Sequence, residues 1–131
     1  MQETLLELEI QGLPPTVNQI YRTGSGRSFR YKTRETLNWQ QQVTALMAAE
    51  RKFRGYSGPA RLYITLQSPN RKRWDLDNRV KALQDCLQMA EIIKDDSQIW
   101  ELQVKRKLGE KTMTRIVLER GELPIASERV E

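Results

Sequence analysis

Residues 61–104 read RLYITLQSPNRKRWDLDNRVKALQDCLQMAEIIKDDSQIWELQV. Leu62, Ile64 and Leu66 alternate with Arg61, Tyr63 and Thr65, the period-two pattern of a half-buried strand. A basic run, Arg71 to Arg73, leads through Trp74 into Asp75-Leu76-Asp77-Asn78. The spacing then changes to that of a helix, from Asp77 or Asn78 to about Ala90. Val80, Leu83 and Leu87 form its buried stripe, with Cys86 and Met89 beside it. Ile92 and Ile93 lead into Lys94-Asp95-Asp96-Ser97, which is good turn chemistry. Trp100, Leu102 and Val104 then alternate with Glu101, Gln103 and Lys105, a further strand. Strand, helix, strand is the centre of the fold.

The flanks extend this pattern. Leu6, Leu8 and Ile10 alternate with Glu7 and Glu9, and Pro14-Pro15 closes that first strand. Asn18 to Arg34 is basic, with Gly24-Ser25-Gly26 in the middle, and reads as a mobile loop. Thr33 is a candidate N-cap for a helix to about Lys52, with Trp39, Val43, Leu46 and Met47 on its apolar face. Gly109 reads as a hairpin turn before a last strand through Thr114, Ile116 and Leu118. From Gly121 to Glu131 the tail is polar, broken by Pro124, and expected to fray. The order strand, helix, strand, helix, strand, strand predicts one α+β domain over residues 1–131, a small mixed β-sheet with two helices packed on one face.

Composition narrows the chemistry. The 131 residues contain no histidine and one cysteine, Cys86. Triads built on imidazole, His-containing zinc sites and internal disulfides are all excluded. The single cysteine fits a reducing cytoplasm and reads as a packed core residue. No apolar run approaches the ~20 residues of a membrane span. These features together predict a soluble cytoplasmic protein.

Charge points to a polyanion. Lys plus Arg total 22 against 17 acids, a formal charge of +5. Most of the basic residues fall in three clusters: residues 20–34, which include Arg22 and Arg30, residues 51–81, and residues 105–120. Such clusters are an electrostatic footprint for phosphate backbones. The five aspartates, Asp75, Asp77, Asp85, Asp95 and Asp96, all lie between residues 75 and 96.

Asp75 and Asp77 are two apart, so on an extended segment both carboxylates point to one side and suit an oxygen-seeking cation such as Mg2+. Asp77 also has the position of a helix N-cap, and Asp75 could pair with the preceding cations. Asp95 and Asp96 could equally be turn residues. Lys81, one turn after Asp77, is either its i,i+4 ion partner or a cation placed to stabilise a phosphate. Asn78 could complete a cap or hold a metal-bound water. A helix of fourteen residues is ~20 Å long. A tight return would therefore leave Asp96 far from Asp77 in one subunit, whereas a chain that doubles back would not. Taken together, clustered carboxylates, a nearby cation and basic surface are what a histidine-free phosphodiester nuclease requires.

The run Arg71-Lys72-Arg73-Trp74-Asp75-Leu76-Asp77-Asn78, with Lys81 and Asp95-Asp96, closely resembles the RusA family of Holliday junction resolvases. Pro14-Pro15-Thr16-Val17-Asn18 with Tyr21-Arg22 resembles that family's proline-rich N-terminal segment, and the likeness runs from about residue 8 to 119. The resemblance implies a Mg2+-dependent homodimeric endonuclease, with Mn2+ as a substitute and no organic cofactor or membrane partner. Such an enzyme cuts two opposed strands of a four-way DNA junction, in recombination and repair, in a bacterial or phage setting. It implies Asp75, Asp77 and Asp96 as metal-binding catalytic carboxylates and Lys81 as the catalytic lysine. Asp95, Asn78 and Asn18 would be accessory, and Arg71, Lys72, Arg73, Arg22 and Arg30 would contact DNA. One departure is Trp74, where relatives carry a basic residue. Its ring could stack on an unpaired base or pack against the sheet. Two rival readings are a non-catalytic basic nucleic-acid-binding protein, its aspartates serving as caps and turns, and a small Mg2+ phosphohydrolase acting on nucleotides.

Overall fold

The computed structural model describes residues 3–16, 21–23, 30–72, 74 and 76–126. In chain order the elements are β1 (Thr4–Gln11), β2 (Tyr21–Thr23), β3 (Arg30–Lys32), α1 (Arg34–Glu50), β4 (Ala60–Ser68), α2 (Val80–Met89), β5 (Ile99–Leu108) and β6 (Met113–Arg120). One-turn 3-10 segments, Asp77–Arg79 and Asp96–Gln98, precede α2 and β5. The expected α+β class and element order hold. Within the region read as a loop, β2 and β3 form a short antiparallel ribbon, Tyr21 opposite Lys32 and Thr23 opposite Arg30. Three-residue strands are too short for alternation to reveal them.

The main sheet has the order β1-β6-β4-β5. β4 runs parallel to β5, and β6 is antiparallel to both β4 and β1. This corrects the expected hairpin at Gly109, because β5 and β6 flank β4 rather than pair. Neighbouring strands are ~4.8 Å apart, so residues 109–112 need to span only about 10 Å across the end of β4. They are tied to it by Gly109 N–H to Ser68 O at 3.3 Å and Gln67 Nε2 to Lys111 O at 3.1 Å. Alternation marks a strand and says nothing of its partner.

The side chains of one sheet face enter the core. Along β4, Ala60, Leu62, Ile64, Leu66 and Ser68 are buried, and Ile116 and Leu118 of β6 join Leu5, Leu6 and Ile10 of β1. The same cluster contains Val43 and Met47 from α1 and Val80, Leu83, Cys86 and Leu87 from α2. Thr33 caps α1 as expected, its Oγ1 accepting from Thr36 N at 3.2 Å. The buried stripe of α1 is Thr36, Gln40, Val43 and Met47; Trp39 is half-buried against the core and Leu46 faces outward. The expected stripe was therefore rotated toward the apolar residues. Two polar side chains, Thr36 and Gln40, take inward positions because Gln40 Oε1 accepts from Lys32 Nζ at 3.0 Å. The other sheet face is polar, with Arg115 bonded to Glu7 at 2.6 Å and Glu9 at 3.1 Å.

Cys86 is fully buried, 3.8 Å from Gln40 O, and desolvation pushes its thiol up to about 11. At neutral pH the nucleophilic thiolate is then scarce as well as inaccessible. Iodoacetamide should leave Cys86 of the folded protein unmodified and alkylate it fully in denaturant, as read by intact mass; rapid labelling of the native protein would contradict this packing.

Candidate metal and DNA site

The chain leaves β4 at Ser68 and enters the loop that carries the acidic motif. Asn70 shapes that loop locally: its Oδ1 accepts from Lys72 N at 2.7 Å, an Asx-type turn. Its backbone O accepts from Arg106 Nη2 at 2.6 Å, which ties the loop to β5. Trp74 is the second anchor. It is half-buried against the core, and the guanidinium carbons of Arg106 and Arg79 lie 4.3 and 4.9 Å from its ring centroid. Cation–π contacts of this kind are worth about 0.5–2 kcal/mol each, depending on desolvation. The packing read for Trp74 is present in the structure. Arg79 in turn donates to Pro14 O at 2.6 Å, which draws the proline segment after β1 to the same end of the sheet. Burial first, and then the neighbouring Arg106 cation, push the Arg79 guanidinium below its ordinary value.

Asp77 opens the 3-10 turn before α2. The cap position belongs to Leu76, and no side chain caps this end. The cap role weighed for Asp77 is therefore not the observed one: the chain is already helical at Leu76, with φ −62° and ψ −44°, whereas a capping residue sits in extended backbone. Asp77 is exposed and, among the described residues, in no ion pair. Lys81 stands one turn further on. Its Nζ is 3.5 Å from Asp85 Oδ1, so its i,i+4 partner follows it in sequence. Lys32 approaches the same carboxylate at 3.9 Å. Arg71 and Lys72 are exposed and Asn78 is half-buried. Asp75, Arg73 and Asn18 lie outside the described residues, and of Arg22 and Arg30 only the backbone, in β2 and β3, is described.

Asp95 and Asp96 have distinct roles. Asp95 is the N-cap of the 3-10 turn. Its Oδ2 accepts from Ser97 N at 3.0 Å, and Gln98 Oε1 accepts from Asp95 N at 3.0 Å, a capping box. Hydrogen bonding to Ser97 holds the Asp95 carboxyl below the usual carboxylate range. A carboxyl whose pKa is lowered on folding contributes stability above the ordinary carboxylate range that is lost as pH falls through the folded value, so the cap weakens only in acid. Gln98 Nε2 donates to Tyr56 O at 2.8 Å and Gly58 O at 2.9 Å. The turn is thereby fixed to the segment that precedes β4. Asp96 follows the cap, exposed and in no ion pair among the described residues.

These anchors put Asp77 and Asp96 at opposite ends of the sheet. β5 starts opposite Ala60, and Asp96 lies just before it; the Asp77 loop leaves from Ser68, opposite Leu108. Eight strand steps separate those ends, roughly 26 Å. Among the described residues, no group of three or more acidic or cysteine side chains is placed to hold a metal ion. Both carboxylates are hard oxygen donors, in no ion pair among the described residues, so each suits Mg2+, and the strand register sets them toward opposite ends of the sheet. Arg79 and Arg106 were not among the expected site residues. The signal for Arg106 was present: it interrupts the Leu102, Val104, Leu108 side of β5 with a cation.

With this geometry in hand, similarity to known proteins becomes informative. The profile described as Endodeoxyribonuclease RusA matches residues 12–119. A crossover junction endodeoxyribonuclease RusA from Aquifex aeolicus is 31% identical over 104 residues, covering 79% of this chain and 81% of the relative. Proteins of the same name from Shigella sonnei and Enterobacteria phage 82 are 32% and 31% identical over 91 residues, covering 70% of this chain and 74% of each relative. The family match takes in every anchor of the Asp77 loop from Pro14 to Arg106, and on that extent of similarity the chain belongs to the RusA family of endodeoxyribonucleases.

Proposed function

We propose that this protein is a Mg2+-dependent, structure-selective endodeoxyribonuclease that resolves four-way DNA junctions in recombination and repair. In this reading it acts as a homodimer in the bacterial or phage-infected cytoplasm. The relatives' names, crossover junction endodeoxyribonuclease, support the substrate. Among the described residues no helix is long and apolar enough to cross a membrane. The observation that carries the reading is the state of Asp77: an exposed carboxylate without a cap role, close in sequence to Trp74, whose ring is flanked by Arg79 and Arg106.

The opposite placement of Asp77 and Asp96 favours a site shared between two copies. A two-fold dimer supplies two such sites, each with Asp75 and Asp77 from one copy and Asp96 from the other, and two sites are what paired cleavage requires. Bound there, Mg2+ would polarise the scissile phosphate and acidify the attacking water. Lys81, half-exposed and only loosely paired with Asp85, can turn toward a phosphate oxygen and stabilise the charge that develops on it. With no histidine available, a carboxylate takes the proton. Arg71 and Lys72, and with them Arg73, Arg22 and Arg30, hold the DNA backbone.

Mixing two inactive variants tests the shared site. Asp77→Asn and Asp96→Asn should each lose cleavage of a synthetic four-way junction by orders of magnitude while still binding it. Mixed and allowed to exchange subunits, they should regain nicking, because one of the two sites in each mixed dimer then has both carboxylates. A mixture as inactive as its components would place the two residues in separate roles. Asp85→Asn should retain cleavage, and chelation of divalent metal should stop it in the unmodified protein without preventing binding. If about six phosphates are neutralised, junction affinity should fall on the order of a thousandfold between about 50 and 200 mM salt; a flat salt profile in a gel-shift titration would count against DNA as the partner.

A further inference from the structure

We infer that Arg79 and Arg106 together form a seat for one phosphate group of the DNA backbone, beside the acidic motif. The phosphate held there is a neighbour of the one that is cut, so the seat places the strand and takes no part in the bond change.

The two side chains come from distant parts of the sequence, one from the 3-10 turn Asp77–Arg79 and one from β5, and they meet at Trp74. Like charges gathered in this way repel. After burial, the Arg106 cation is what pushes the Arg79 guanidinium below its ordinary value. Among the described residues no acid offsets that charge. Neither arginine is in an ion pair there, and the hydrogen bonds they make go to neutral carbonyls, Pro14 O for Arg79 and Asn70 O for Arg106. A guanidinium has five N–H donors and no acceptor, so most of this donor capacity is uncommitted. Arg79 Nε is buried and has no hydrogen-bond partner among the described residues. A buried cation with an unmatched donor is costly, and such atoms are rare in folded proteins. The Trp74 ring steadies both cations through its π face without neutralising either. What the cluster lacks is an anion. Both arginines are half-buried, so each keeps part of its surface in water, where a ligand can reach it.

The surroundings select the anion. Guanidinium forks match the oxygens of a phosphate, and two of them can share one group. Arg71 and Lys72, both exposed, continue the basic surface along the same loop, which suits an extended polyanion better than a single acidic side chain. Arg79 closes the 3-10 turn that Asp77 opens, so the seat lies within one turn of a carboxylate proposed to hold the metal. Phosphate contacts of this kind fix the register and orientation of a strand. Naming DNA as the ligand rests on the nuclease reading above; the anion seat itself rests on the two arginines. The unmatched Arg79 donor and the uncompensated pair of cations, two separate observations, call for the same ligand.

Inorganic phosphate probes the seat without DNA or metal. Titrated against chloride at constant ionic strength, it should raise the thermal midpoint of the unmodified protein in a saturating manner. Arg106→Gln should bind it on the order of tenfold more weakly. Arg106→Lys, which keeps the charge and loses the fork, should fall between the two. Lys107→Gln removes the next cation along β5 and should bind phosphate as the unmodified protein does. No saturating effect in the unmodified protein, or an equal loss in Arg106→Gln and Lys107→Gln, would overturn the seat. Should Arg106→Gln fail to fold, Arg106→Lys set against Lys107→Gln gives the same decision: weaker binding in the first alone supports the seat, and equal binding overturns it. The DNA ligand has its own readout. In gel-shift titrations with a four-way junction, the log–log salt slope of Arg106→Gln should be shallower by about one than that of the unmodified protein; an unchanged slope would remove DNA from the seat. Cleavage reports separately on the nuclease reading. A protein that shows both effects but never cuts with divalent metal present would remove that reading and leave the seat standing.

Discussion

Two strands that lie parallel and adjacent cannot be joined by a turn; the chain must return along the length of the sheet before the second strand begins. β4 and β5 are such a pair, and α2 is the return. That single constraint positions everything in the candidate site. The end of β4 and the start of β5 are at opposite ends of the sheet, so whatever the chain carries before α2 is separated from whatever it carries after it. Asp77 is before α2 and Asp96 is after. Each end has its own fastening, Gln98 to Tyr56 and Gly58 at one, Arg106 and Arg79 around Trp74 at the other.

The fastening at the Asp77 end is made of cations. Arg79 and Arg106 are held near one aromatic ring, and each bonds a backbone carbonyl, Pro14 O and Asn70 O. Neither is paired with a carboxylate among the described residues. A buried Arg–Asp pair would have anchored the loop as well, but it would have consumed an acid of the motif. Carbonyls and a π face accept the guanidinium charge and leave Asp77 without an ion partner among the described residues. The positive field they leave behind also favours an approaching phosphate. Structural anchoring and phosphate attraction therefore come from the same two side chains.

Much of this was legible in the sequence. Alternation located β1, β4, β5 and β6, and the helical stripe located α2 to within a few residues, because each of these elements buries one face and the pattern follows from burial. Thr33 as a cap was legible from its position alone. Strand pairing was not: Gly109 reads as a hairpin turn whether the chain pairs back or steps across β4, and only tertiary contacts choose. The β2–β3 ribbon was hidden because three residues carry no period. In the site, the D-x-D spacing and the aspartate cluster singled out the candidate acids, and the ~20 Å length of the intervening helix left open whether Asp96 lies near Asp77 or far from it. Asp95 and Asp96, adjacent in sequence, divide into a capping residue and a free carboxylate, and Gln98, whose amide makes that division, gave no signal beyond its place three residues after the cap. Arg106 was visible only as an interruption, since an arginine on an apolar strand face looks like noise until its partner, Trp74, is known.

The shared site proposed above has a thermodynamic consequence. In the proposed dimer, a lone copy offers Mg2+ the Asp75–Asp77 end or the Asp96 end, never both, and a cation that keeps most of its water binds weakly to so few carboxylates. Association supplies the missing ligand, so dimer formation and metal binding stabilise one another by mass action. The linkage is reciprocal: metal that favours the assembled site must also favour assembly. Three like-charged carboxylates brought together oppose dimerisation when no cation is present, and the opposition is removed when one binds. Cutting a single strand of a junction leaves an unrepaired nick with no exchange completed. In the proposed dimer, chemistry that is absent until a second copy is in place, with a second site facing the opposed strand, would be confined to the assembly that can cut both.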